Sequence, residues 1–116
     1  MIPGLVGQWA AAGQLDLPLP GGGETGRRFQ ALSALAEIDV TAGRLAEAHT
    51  DAVAILAELG GPHAQAGQLW GVWAAEARDA VLSARGDGDR TVLDGTKVWC
   101  SGAGLCTHAL VTARSE

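Results

Sequence analysis

The Gly60-Gly61-Pro62 triplet separates two hydrophobic periodicities, and a chain built this way must change architecture at that point. Upstream, Phe29, Leu32, Leu35 and Ala36 recur at helical spacing and predict a helix from Thr25 to Ile38, with Arg27, Arg28 and Glu37 on its wet side. Asp39 and Thr41 are both good capping types. After them Leu45, Ala48, Ala52, Val53, Leu56 and Leu59 predict a second helix that runs to Gly60. Glycine then tolerates a left-handed cap, and proline cannot continue the hydrogen-bond ladder. Ahead of both helices, an apolar stretch from Leu5 to Leu15 leads into LPLPGGGETG, which Pro18, Pro20 and the glycines make a connector.

Downstream of Leu69 the segments are short, branched or aromatic, and punctuated by glycine. LWGVW, AVLSA, TVL, TKVWC and THALVTA read as strands. Asp94-Gly95 predicts a two-residue hairpin joining Val92-Leu93 to Lys97-Val98-Trp99, because a type I′ turn needs positive φ at both central positions. Gly86-Asp87-Gly88-Asp89 reads as a solvated turn. Helices first and strands afterwards define an α+β chain with an incomplete antiparallel β-domain, divided into 1–63 and 64–116.

Composition narrows the functional classes. The 116 residues include 22 alanines but only five aromatics, so the tryptophans and leucines must supply much of the burial energy. A net charge of −5 and dispersed cations, with Arg27-Arg28 the only adjacent pair, argue against a nucleic-acid footprint. No apolar run approaches the roughly 18 residues of a membrane span, and the N-terminus lacks the basic start of a secretory signal. The expected setting is cytoplasmic, with Cys100 and Cys106 reduced.

Gly102 and Gly104 open a G-x-G, but Thr107 stands at the next expected glycine and no βαβ unit surrounds it. Cys100, Cys106 and His108 fall short of a four-ligand zinc set unless distant His49 or His63 joins them. In a strand beside Trp99, Cys100 reads as a buried, inert thiol. His49, between Glu47 and Asp51, reads as a solvated or half-buried histidine. Trp70 and Trp73 face opposite sides of a strand, and the sequence does not say which faces core. Lys97, Trp99 and Ser101 alternate and would share one strand face. There an indole could pack against a flat ring and a hydroxyl could donate to a ring heteroatom.

LDGTKVWCSGAG resembles the segment of acyl-CoA dehydrogenases in which a glycine turn leads to lysine, then tryptophan, then a hydroxyl residue two further on. HALVTA is similar to the family's next strand, and LAEIDVTAGRLAEAHTDAVAIL is similar to helices of its N-terminal domain. The resemblance implies an FAD flavoprotein that desaturates an acyl-CoA thioester and passes electrons to an acceptor. It implies flavin contact for Trp99, Cys100 and Ser101, and backbone contact near Trp73, Ala74 and Ala75. Where the family carries Thr-Glu-Pro and a Gly-Ser-Asp loop, this chain has Ala75-Glu76-Ala77 and Arg78-Asp79. The family's catalytic carboxylate lies in a C-terminal helical bundle with no counterpart in these residues. Glu76 is nearest by position but matches a loop residue and not the base, so a piece inactive alone is expected, associating as a homo-oligomer or through open edges. The rival expectation is a noncatalytic remnant or protein-interaction module using tryptophans and strand edges.

Overall fold

The computed structural model describes residues 2–115. Three helices come first: α1 (Ile2–Ala11), α2 (Thr25–Ile38) and α3 (Val40–Leu59). Five strands follow: β1 (Trp70–Trp73), β2 (Leu82–Asp87), β3 (Arg90–Gly95), β4 (His108–Val111) and β5 (Arg114–Ser115). The α+β class is as expected. Asp39 caps α3 by accepting the Ala42 N–H at 2.9 Å, which satisfies one of the donors a helix start leaves unpaired.

The helix α3 is the central element, packed by α1, α2 and β1. Its alanines let the neighbours approach closely. At Gly43 an added Cβ would stand 2.7 Å from the Ala36 Cα, so the α2–α3 crossing has room only for hydrogen there. One apolar cluster joins Val6 and Trp9 of α1, Leu15, Leu35 of α2, and Ala42, Leu45 and Ala46 of α3. A second joins Ala52 and Leu56 of α3 to Trp70, with Val72 and Leu110 against it.

The two faces of α2 differ from the expectation. Arg28 is only 4% exposed, whereas Phe29 is 62% exposed. Arg28 and Leu35 are seven residues apart and share the buried face, which turns the adjacent Phe29 to solvent. The guanidinium can be buried because it donates to the Pro18 carbonyl at 3.1 Å, to Thr50 Oγ1 at 3.3 Å and to Asp51 Oδ1 at 3.0 Å. One side chain thereby ties the Pro-rich connector, α2 and α3 together.

His49 is likewise buried, at 7% exposure, where a wetter position was expected. Its Nδ1 accepts the Trp70 backbone N–H at 3.0 Å and fixes the start of β1 on α3. The Trp70 indole stacks on the His108 ring at 4.8 Å between centroids.

Strand directions are mixed where antiparallel pairing was expected. The β1–β4 pair is parallel, with Trp70 opposite His108 and Trp73 opposite Val111. In the second sheet β2 lies between β3, which runs antiparallel, and β5, which runs parallel. The hairpin turns at Gly88-Asp89 and not at Asp94-Gly95. Six residue pairs from Leu82↔Gly95 to Asp87↔Arg90 form the ladder, and of the two central turn residues only Gly88, the first, has positive φ. Asp94-Gly95 is therefore the last part of β3, and Lys97 to Cys100 form no strand.

Two stability measurements check these contacts. Arg28→Met removes three hydrogen bonds made by a charged group and leaves Thr50 without that donor. Bonds of this kind are worth about 1.5–3 kcal/mol each, so urea unfolding should show a loss of at least about 1.5 kcal/mol. Burial lowers the His49 pKa from 6.5, with Asp16 opposing part of that shift. The unfolded state thus binds more protons, and this contribution is full above pH 6.5 and lost as pH falls through the lower folded value. The urea midpoint should drop on acidification through that range, and His49→Asn should flatten that part of the profile.

Candidate functional site

The residues singled out from the sequence converge on the loop between β3 and β4. Lys97 anchors its first part, donating from Nζ to the Thr112 carbonyl at 2.8 Å and lying 2.7 Å from Thr112 Oγ1. The far end is closed by Thr107, whose N–H and Oγ1 engage the Leu69 carbonyl and N–H, both at 2.9 Å. Between these anchors the chain winds through tight turns. Ser101 N–H donates to the Trp99 carbonyl at 3.0 Å, and the Leu105 and Cys106 N–H groups share the Gly102 carbonyl at 2.8 and 2.9 Å.

Gly102 is required at the centre of this loop. Its φ is 75°, and an added Cβ would stand 2.7 Å from Leu45 Cδ2 and 3.4 Å from Cys106 Sγ. The loop is therefore seated directly on α3. Cys106 sits in the contact, where burial pushes its thiol pKa up and keeps it protonated.

Trp73 and Ser101 are brought together: the indole Nε1–H of Trp73 donates to the Ser101 carbonyl at 3.1 Å. The Trp73 carbonyl in turn accepts from the Thr112 N–H at 3.2 Å. Trp99 stands two residues from Ser101 and is 80% exposed. It is the one non-glycine residue with positive φ among the described residues, at 58°. Such a conformation costs on the order of 1–3 kcal/mol and persists only where flanking contacts impose it.

Lys97, Trp99 and Ser101 do not share a strand face, because the segment is a turn-rich loop held by Lys97 and Gly102. Cys100 is half-buried in that loop and not in a strand, its Sγ 3.5 Å from the Lys97 carbonyl. Ala74 and Ala75 follow β1 in an irregular segment, and no hydrogen bond joins them to the loop among the described residues. Glu76 faces Arg114 at 3.6 Å, and both side chains are more than half exposed. No group of three or more His, Cys, Asp or Glu side chains converges as a metal site among the described residues.

Two features escaped the sequence reading. The Trp73–Ser101 bond spans 28 residues and left no local trace. The burial of His49 did leave one, since His49 lies in the stripe of Leu45, Ala52 and Leu56 at spacings of three and four. No helix is long and apolar enough to cross a membrane among the described residues. Comparison with family models, with characterised proteins and with solved structures finds no match.

Gly102→Ala should destabilise the chain by about 1–3 kcal/mol, from strained φ together with the clash against Leu45. The loop should also lift from α3. Thermal unfolding reads the first effect, and faster alkylation of Cys106 by a thiol reagent reads the second.

Proposed function

We propose that the loop carrying Trp99 and Ser101 is a flavin-contacting element of an acyl-CoA dehydrogenase-like flavoprotein. The observation that supports it is the joining of Trp73 to Ser101 at 3.1 Å, with the Trp99 indole presented bare beside them. Two parts of the chain for which the resemblance implied flavin contact thus meet in one place. The residues fit the group chemically: an exposed indole offers a planar face to an isoalloxazine, and an adjacent exposed hydroxyl can donate to a ring nitrogen or oxygen. FAD when bound supplies the hydride acceptor. The chain's own part is to orient it. Lys97 and Thr107 pin the two ends of the loop, and Gly102 seats it on a rigid helix.

Glu76 is not the base in this reading, since it lies in a solvated segment opposite Arg114. An acyl-CoA thioester, an electron acceptor, a homo-oligomer and a cytoplasmic setting belong to the same proposal. A noncatalytic interaction module is the second reading, favoured by the exposure of Phe29, Ile38, Val40 and Leu59 outside the loop. It requires no flavin.

Titration of FAD into the chain, read by flavin fluorescence, separates the two. Trp99→Ala should weaken binding about two- to tenfold, as aromatic contacts contribute about 0.5–1.5 kcal/mol beyond area burial. Ser101→Ala should cost about one hydrogen bond, 0.5–1.5 kcal/mol. Equal affinity in wild type and Trp99→Ala would remove the loop from the flavin site, and absence of binding would favour the interaction module.

A further inference from the structure

A cleft of about 710 Å³ opens between α1, α3 and the connector that leads from α3 to β1. This lies within the roughly 300–1,000 Å³ of small-molecule sites. Val6, Leu15, Val53, Leu69 and Leu105 supply apolar wall. Some of the polar groups bordering it are already committed to the protein. Gln68 Oε1 accepts from the Gln65 N–H and from Trp70 Nε1, and Thr107 Oγ1 is held by Leu69 and lies 2.8 Å from His108 Nδ1.

His49 and Asp16 are different. The Trp70 N–H is a donor, so His49 Nδ1 must be unprotonated and the proton of the neutral ring sits on Nε2. Nδ1 makes the ring's one hydrogen bond among the described residues. Among the described residues no fully buried side-chain nitrogen or oxygen lacks a partner, so Nε2–H is not completely buried, and the ring lines the cleft. Asp16 borders the same cleft with an exposed carboxylate, close enough to His49 to favour its protonated form. With exposed His63 and the Gln65 and Gln68 amides also on its border, the cleft presents a fixed donor and a charged acceptor beside an apolar wall.

We infer that this cleft is a binding site for an uncharged amphiphile, an apolar chain ending in a primary carboxamide. The carboxamide oxygen accepts from His49 Nε2–H, and its N–H donates to Asp16. A carboxylate of the same length meets the Asp16 charge and has no proton to offer it, so the site discriminates against fatty acids. His49 positions the head rigidly because its other nitrogen is locked on Trp70. The site shares Leu105 and Thr107 with the far side of the flavin loop but none of Trp73, Trp99 or Ser101, and it holds whether or not that loop binds flavin.

Calorimetric titration of the full chain with octanamide and with octanoate, near pH 7.5, tests the assignment. Octanamide should bind saturably at one site, and octanoate about tenfold or more weaker, for the loss of one hydrogen bond to a charged group. Asp16→Asn should erase that preference. Gly7→Leu fills the cleft from α1, where an added Cβ meets nothing within 4 Å, so the fold is kept while octanamide affinity falls about tenfold or more. FAD titration of the Gly7→Leu protein should match wild type, which keeps this result independent of the flavin reading. Octanoate binding as tightly as octanamide, octanamide affinity unmoved by Gly7→Leu, or no saturation by octanamide would each overturn the inference.

Discussion

The backbone N–H at the start of β1 finds its acceptor in an imidazole, and the order of the strand region builds out from that bond. With Trp70 held on His49 at 3.0 Å, β1 lies against α3 and offers its edge to β4 in parallel register. The β4 strand brings Thr112 within reach of Lys97, and Trp73 at the end of β1 reaches Ser101. Removing the His49 acceptor would leave a buried donor unpaired, which costs more than the bond contributes when made. Protonating it has the same effect, so the link between helices and strands is also acid-sensitive.

A helical neighbourhood with few large side chains explains why polar contacts carry so much of the fold. Alanine and glycine on α3 bury little area each but let backbones approach, as at Gly43 and Ala36. Close approach shields the Arg28 guanidinium and the Nδ1 side of the His49 ring, and both find fixed partners. Arg28 organises one side of α3 and His49 the other. The strand sheet formed by β2, β3 and β5 has no such anchor and is mostly solvated.

Local signals in the sequence were legible where one turn of chain decides the outcome. Thr25 to Ile38, the Asp39 cap and the stop at Gly60 follow from periodicity and from residues adjacent in sequence. The hairpin was not, because Asp94-Gly95 and Gly88-Asp89 are both competent turns. The choice shows in the six-pair ladder and in the Lys97–Thr112 contact, the second of which spans 15 residues. Arg28 and Phe29 were exchanged for a related reason. Polarity predicts the wet face only until a distant carbonyl, hydroxyl and carboxylate make a buried cation affordable. Of the candidate site, Trp73, Trp99 and Ser101 could be named from sequence, but the hydrogen bond joining Trp73 to Ser101 could not.

The loop from Lys97 to Thr107 stands between the two surfaces for which a function is proposed. On one side it presents Trp99; on the other, Leu105 and Thr107 form part of the amphiphile cleft. Both sides share one support, the contact of Gly102 with Leu45, and Leu45 is one turn of α3 from His49. A rigid loop seated this way fixes the indole and closes the cleft with the same backbone turns. The strained φ of Trp99 fits that arrangement, since a left-handed tryptophan persists where the residues on both sides are held. What sets the geometry of this loop is therefore its seat on the helix, and the glycine at 102 is the residue through which either surface would feel a change in the other.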